Sequence, residues 1–227
     1  MNVPFRLFGP LHLAILAAMA LSAWWLVIWA RRATVLQRQH AARILATVIV
    51  VNELWYWVYQ IGRGAWTFPR DLPLQICDLA VLLVGWALWQ PHRRRLTEIA
   101  YCWGAAGTLQ ALLTPDLPAQ IPLWYFLKFF LTHCGVVVGV ICLAGALGWR
   151  PQRGAVWRML LVTDIYAAVI GIFNVIYGTN YLYLCAKPVR PSLLDWLGPW
   201  PWYILSLQVV GVALFGLCLL PLRRRAI

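Results

Sequence analysis

The sequence predicts an all-α membrane protein, a bundle of seven transmembrane helices with the N-terminus outside and the C-terminus in the cytoplasm. Composition is the first reason. The 227 residues are 63% hydrophobic and 11% charged, with a mean hydropathy of +0.72, whereas a soluble domain needs about 25% charged residues to cover its surface. The second reason is patterning: the apolar residues fall in seven continuous runs close to the roughly 20 residues a helix needs to cross the hydrocarbon core. A β-barrel would instead show alternating segments of about 10 residues. The third reason is charge. The net charge of +12 is gathered in short clusters between apolar runs, which anchors helices beside anionic headgroups and gives no reason to expect a nucleic-acid partner.

The helices are expected at about 11–30, 43–61, 73–90, 96–114, 126–148, 157–177 and 201–220, in one integral membrane domain spanning 1–227. The first run is too long for a cleaved signal and lacks a small-residue cleavage site, so it is expected to stay as a helix. The loops after the odd-numbered helices carry Arg31, Arg32, Arg38, Arg43, Arg93–Arg95, Arg150, Arg153, Arg158 and Arg223–Arg225, 13 in all. The opposite loops carry only 6: Arg6, Arg63, Arg70, Lys128, Lys187 and Arg190. The positive-inside rule therefore puts the N-terminus outside and the C-terminus in the cytoplasm.

The third helix is expected to begin at Pro73, since proline suits the first helical position. Cys77 then lies roughly 6 Å along it at 1.5 Å per residue. In the fifth helix Lys128 follows Trp124 and Tyr125, and its ammonium is expected to snorkel to the outer headgroups. His133 then sits at a depth similar to that of Cys77.

Other polar residues gather at this end: His12 in the first helix, Asn52 and Glu53 in the second, Asp78 beside Cys77, Gln110 and Thr114 in the fourth. Asn174, Tyr177 and Asn180 close the sixth, and Ser206 and Gln208 open the seventh. A single Ser, Thr, Asn or Gln inside a membrane helix is more often a helix-to-helix hydrogen bond than a site. Ionisable groups there cost roughly 2.5–3.5 kcal/mol and need partners. Glu53 is equally well explained by a structural partner such as an outer arginine or by a direct chemical role, and Asp164 is expected to pair with Arg158 or a nearby loop.

Cys102, Cys134, Cys142 and Cys218 lie within apolar runs and read as small buried hydrophobes. Cys77 has three readings: packing, a disulfide with Cys185, or a nucleophile. A thiol needs a base to become a thiolate, and His133 is the candidate at matching depth. A zinc site from His12, Cys77 and His133 would lack a fourth ligand, so neither metal nor cofactor is expected. A cysteine–histidine pair near the ester carbonyls of phospholipids suits acyl transfer through a thioester, with membrane lipids as partners. The alternative from another class is a small-solute transporter or binding protein with an outward-facing polar cavity, which inverted repeats or broken paired helices would support; Gly171–Asn174 could interrupt the sixth helix.

Long phrases carry a family resemblance: Leu72-Pro-Leu-Gln-Ile-Cys-Asp-Leu79, Tyr101-Cys-Trp-Gly-Ala-Ala-Gly-Thr-Leu-Gln-Ala-Leu-Leu-Thr-Pro-Asp116, Phe129-Phe-Leu-Thr-His133, Gly178-Thr-Asn-Tyr181 and Leu194-Asp-Trp-Leu-Gly-Pro-Trp-Pro-Trp-Tyr203. Together with the start ending at His12, they resemble the YwaF family of bacterial integral membrane proteins over nearly the whole chain. That family is similar to the eukaryotic transmembrane protein 164 group, described as cysteine-dependent acyltransferases of phospholipids. The resemblance implies Cys77 and His133 as the catalytic pair. His12, Glu53, Asp78, Gln110, Asn174 and Asn180 are the expected substrate-binding or orienting residues, and the oligomeric state is left open.

Overall fold

The computed structural model describes residues 1–188 and 192–222; Arg190 and Arg223–Arg225, counted above among the loop cations, lie outside the described residues. A short strand β1 (Asn2–Pro4) leads into α1 (Pro10–Arg32) and α2 (Val35–Gly62), followed by α3 (Ile76–Trp89). The next helix, α4 (94–113), runs from Arg94–Cys102 through a π-helical stretch, Trp103–Thr108, to Leu109–Leu113. Strand β2 (Gln120–Pro122) pairs antiparallel with β1, Val3 opposite Ile121, and opens α5 (Leu123–Ile141), which ends in a π turn at Cys142–Ala146. Helices α6 (Ala155–Tyr177) and α7 (Trp202–Leu219) complete the bundle.

The protein is thus an all-α, multi-pass integral membrane protein. Helices α1, α2, α5, α6 and α7 are long and apolar enough to cross a membrane. Helix α3 is an apolar helix of 14 residues, and α4 carries Arg94, Arg95 and Glu98 in its first turns. Large apolar side chains such as Trp24, Ile44, Val175 and Val209 stand exposed along the outer helix faces, as a lipid-facing surface requires.

Two helix starts differ from expectation, and both differences come from caps. Helix α2 begins at Val35 rather than near 43 because Thr34 and Gln37 form a capping box, each side chain accepting from the other's backbone N–H at 3.2 and 2.8 Å. Helix α3 begins at Ile76 rather than Pro73. Asp78, in its first turn, accepts the N–H of Gln75 at 3.3 Å and fixes the start there. Pro73 stays in the preceding loop, and Cys77 is the second residue of the helix. Helix α6 runs unbroken through Gly171–Asn174, so the interruption expected as an option there does not occur.

Close helix contacts set the depth of the site. Helices α3 and α5 run in the same direction, and a Cβ on Gly139 would stand 2.7 Å from Val84 Cγ1, so the two backbones meet there. Seven residues back from that contact on each helix lie Cys77 and Thr132. Cys77 is therefore level with His133, one residue further along, to within a few ångströms at about 1.5 Å per residue.

Gly135 brings α2 equally close, because a Cβ there would stand 2.4 Å from Cγ2 of the fully buried Ile49. Replacing Gly135 by Ala is expected to cost about 1–3 kcal/mol through overpacking. Gly62→Ala, with nothing within 4 Å, is the matched control. Thermal melting in detergent reads the difference, and equal midpoints would show that α2 yields freely at this crossing.

Candidate functional site

The stretch before α3 is held on three sides. Tyr166 of α6 donates its hydroxyl to Leu74 O at 2.7 Å, Tyr181 donates to Pro69 O at 2.9 Å, and Leu182 N donates to Gln75 Oε1 at 3.1 Å. The last two come from the loop after α6, which folds over the mouth of α3. Asn174 shapes that loop: its side chain bonds both N and O of Tyr181 at 2.9 Å and accepts from Thr179 at 2.8 Å. Asn180 does the same one turn on, accepting the N–H groups of Cys185 and Ala186. Tyr203 closes the loop from α7 by donating to Tyr183 O. Leu182 and Tyr183 have φ of 58° and 54°, a left-handed conformation that costs non-glycine residues of order 1–3 kcal/mol each and persists where surrounding contacts over-determine it.

Cys77 lies under this loop, half-buried and free; Cys185, its conceivable disulfide partner, is free and exposed. Its own N–H and that of Ile76 belong to the first turn, where helical N–H groups have no intrahelical acceptor. The Asp78 carboxylate, the Lys128 ammonium and the Glu53 carboxylate lie within electrostatic reach of the sulfur, in that order of influence, as do the hydroxyls of Tyr125 and Tyr166.

His133 is 7% exposed and stacks on Phe129 with ring centroids 4.0 Å apart. Its Nδ1 lies 2.8 Å from Phe129 O. A carbonyl only accepts, so Nδ1 carries the proton and Nε2 of the neutral ring keeps its lone pair. No hydrogen bond joins His133 to Cys77 among the described residues. The two stand at the same level on adjacent parallel helices, and a proton passes between them only through a bridging hydroxyl or a side-chain rotation.

Between α2 and α5 lies a polar cluster that sequence reasoning saw only in part. Lys128 does not snorkel to the headgroups. It is 8% exposed, turns inward to Glu53 Oε2 at 2.9 Å, and rests its ammonium over the Tyr56 ring, 4.4 Å from the centroid. Thr132 donates to Glu53 at 3.4 Å and accepts from Asn52 at 2.7 Å. Glu53 Oε1 is buried without a hydrogen-bond partner. The pairing wins over snorkelling because a carboxylate in mid-helix needs a cation. Lys128 and Thr132, one turn apart, present both a charge and a hydroxyl to the same neighbour.

Other candidates have local partners. His12 is fully buried, accepts Phe8 N–H at Nδ1 (3.1 Å), and its Nε2 lies 2.8 Å from Leu112 O. Both nitrogens are occupied, and the ring sits among Phe5, Phe8 and Phe130. Gln110 bonds Thr114 on its own helix at 3.2 Å. Asp78 caps α3. Asp164 pairs with neither Arg158 nor a loop: it accepts from Gln208 of α7 at 2.9 Å, while Arg158 grips Glu98 with two nitrogens, each at 2.9 Å. Among the described residues no three His, Cys, Asp or Glu side chains gather as metal ligands.

Fold and site together define a multi-pass membrane protein with a cysteine in the first turn of a short apolar helix, level with a buried histidine on its neighbour. The chain belongs to the TMEM164 family, whose match extends over residues 7–219. The family is the one to which the YwaF resemblance led indirectly; the YwaF name itself is not among the matches. An uncharacterized protein of Treponema pallidum (strain Nichols) is 28% identical over 191 residues, covering 82% of this chain and 77% of that relative. No solved structure matches.

Proposed function

We propose that this protein is a phospholipid acyltransferase or transacylase that carries the acyl group as a thioester on Cys77. The observation that supports it most is the placement of Cys77 in the first turn of α3, level to within a few ångströms with His133 on the neighbouring α5. The activity is the one the family resemblance implies. In the first half-reaction Cys77 Sγ attacks an ester carbonyl of a phospholipid. Its proton passes to His133 through a bridging hydroxyl, the C–S bond forms, and the ester C–O bond breaks. His133 returns the proton to the departing lysolipid oxygen. In the second half-reaction His133 takes the proton of an acceptor hydroxyl, whose oxygen attacks the thioester carbonyl; the C–S bond breaks and His133 returns the proton to Cys77 Sγ. The N–H groups of Ile76 and Cys77 suit the oxyanion in both steps, and the Lys128 ammonium supplies a nearby positive charge. This chemistry calls for no metal or cofactor.

In the same reading α3 and α4 complete seven membrane passages and the Cys77 end faces outward. The arginine-rich end then lies in the cytoplasm by the positive-inside rule, and the resemblance to a bacterial family implies a bacterial cytoplasmic membrane. Glu53, Asp78, Asn174 and Asn180 act by positioning, through Lys128, the start of α3 and the covering loop.

The test is direct. Purified protein incubated in phospholipid vesicles is expected to gain one fatty-acyl mass on the peptide containing Cys77. Hydroxylamine should release it, and Cys77→Ala should not gain it. No such adduct in the wild type, together with identical lipid acyl composition in cells making wild type and Cys77→Ala, would reject the proposal.

A further inference from the structure

We propose that the end of the bundle opposite Cys77 holds a binding site for one anionic phospholipid, its phosphate between Arg43 and Arg93 and its acyl chains along the outer face of α2. The site is made where the N-terminal turns of α2 meet the turn between α3 and α4. A cavity of about 430 Å³ opens there, lined by Gln39, Arg43, Trp89, Gln90, His92 and Arg93 among others, and no carboxylate borders it. Two ion pairs occur among the described residues, Lys128 with Glu53 and Arg158 with Glu98, and neither uses Arg43 or Arg93. Arg43 is instead held over the Trp89 ring, 5.7 Å from its centroid.

Arg43 and Arg93 line one cavity without an ion-pair partner among the described residues, and an anion between them would gain charge-assisted hydrogen bonds from both. Arginine suits phosphate because its planar fork matches two oxygens at once. The neutral amides of Gln39 and Gln90 add donors without adding charge.

The adjoining cavity identifies the ligand as a lipid rather than a free anion. It measures about 370 Å³, shares Arg43 and Trp89 with the first, and continues over Ile44, Thr47 and Val48. Ile44 and Val48 are 66% and 44% exposed and lie one turn apart on α2, facing the membrane. A phosphate at Arg43 would therefore lead directly onto an apolar lane about 7 Å long, at 1.5 Å per helical residue. A ligand that fills both parts has a phosphate head and hydrocarbon tails.

Charge decides which lipid. A zwitterionic headgroup would carry its ammonium into a cavity whose charged side chains are all basic, whereas a phosphatidylglycerol-type headgroup brings only the phosphate charge and hydroxyls. A third cavity, of about 550 Å³, shares Pro91 and His92 with the first and adds Arg94 and Arg150, again with no carboxylate. It extends the same preference.

Native mass spectrometry of the full chain, released from nanodiscs of phosphatidylcholine doped with phosphatidylglycerol, tests this without reference to catalysis. The wild type is expected to retain one phosphatidylglycerol in preference to phosphatidylcholine. In Arg43→Gln/Arg93→Gln that preference should fall about 30-fold, taking each arginine at its usual contribution beside anionic lipid. Arg93→Gln alone, in an exposed turn, should show a smaller loss in the same direction if the double variant proves unstable. Arg31→Gln/Arg32→Gln removes the same charge from the same end of the bundle and should leave the preference intact. Equal retention by wild type and the Arg43/Arg93 variants would overturn the site, and so would an equal loss in the Arg31/Arg32 variant, which would show diffuse attraction only. Displacement of the bound lipid by millimolar inorganic phosphate would overturn its lipid character and leave an anion site.

Discussion

Replacing Cys77 by Ala is expected to lower acyl transfer by at least about 10⁴-fold, since a nucleophile acting with its base gives effects of that order or larger when removed. Replacing His133 by Ala is expected to lower it by about 10²–10⁴-fold, the usual contribution of a positioned general acid and base. The double variant should be no slower than Cys77→Ala alone, because the two residues act on one proton and their losses do not add. Cys77→Ser should be nearly as slow as the alanine variant, as a hydroxyl in the same place is a far weaker nucleophile. His133→Gln fills similar volume and keeps a donor for Phe129 O, so it separates lost packing from a lost base. Rates of acyl exchange between defined phospholipids in vesicles give each number. Wild-type turnover in His133→Gln, alongside an inactive Cys77→Ala, would remove His133 from the mechanism and leave the thiol with another base. Wild-type turnover in Cys77→Ala would end the thioester reading altogether.

The absence of a direct Cys77–His133 hydrogen bond bears on how the rates should divide. If the acceptor hydroxyl bridges the two, His133 matters most in the half-reaction in which that hydroxyl attacks the thioester. Single-turnover measurements should then find thioester formation less impaired than thioester discharge to an acceptor in His133→Gln. The side chain is prepared for this: its Nδ1 proton is committed to Phe129 O at 2.8 Å, leaving Nε2 as the base.

Much of the fold was legible because membrane helices announce themselves by length and apolarity. Helices α1, α5, α6 and α7 fall within a few residues of their expected limits. The starts of α2 and α3 were misplaced for a shared reason. Caps are made by side chains reaching a few residues along the chain, and Thr34 with Gln37, or Asp78 with Gln75, reads as ordinary polar sequence unless the pair is sought. Asp78, which had no evident partner as a sequence position, is explained by that cap. The level placement of Cys77 and His133 was expected from depth counting, yet the counting used two assumptions the structure replaces, a helix start at Pro73 and a snorkelling Lys128. What fixes the level is the close contact of Val84 with Gly139. Long-range pairings were the least legible part. Asp164 with Gln208 and Glu98 with Arg158 depend on which helix faces meet, and the periodicity of one helix does not carry that.

The Glu53–Lys128 pair yields the largest expected effect on stability. Lys128→Met leaves a carboxylate that is 1% exposed facing only the weak hydrogen bond from Thr132, and breaking a buried pair from one side costs about 3–5 kcal/mol. Glu53→Gln leaves the ammonium with the Tyr56 face and should cost less, since the cation retains a partner worth up to about 2 kcal/mol when desolvated. The double variant Glu53→Gln/Lys128→Met removes both charges and should recover most of the loss, because the desolvation cost of the pair disappears with it. Thermal melting in detergent at low and high salt measures all three, and the effect should be nearly independent of salt, as screening does not reach a buried pair. Activity then separates two roles that stability confounds. If Lys128 only holds α2 against α5, the refolded double variant should transfer acyl groups at the wild-type rate. If its ammonium, within electrostatic reach of Cys77, also favours the thiolate and the oxyanion, the double variant should be stable and slow. Loss of turnover without loss of stability in the double variant, with turnover retained in Glu53→Gln alone, would mark Lys128 as a third functional residue beside Cys77 and His133.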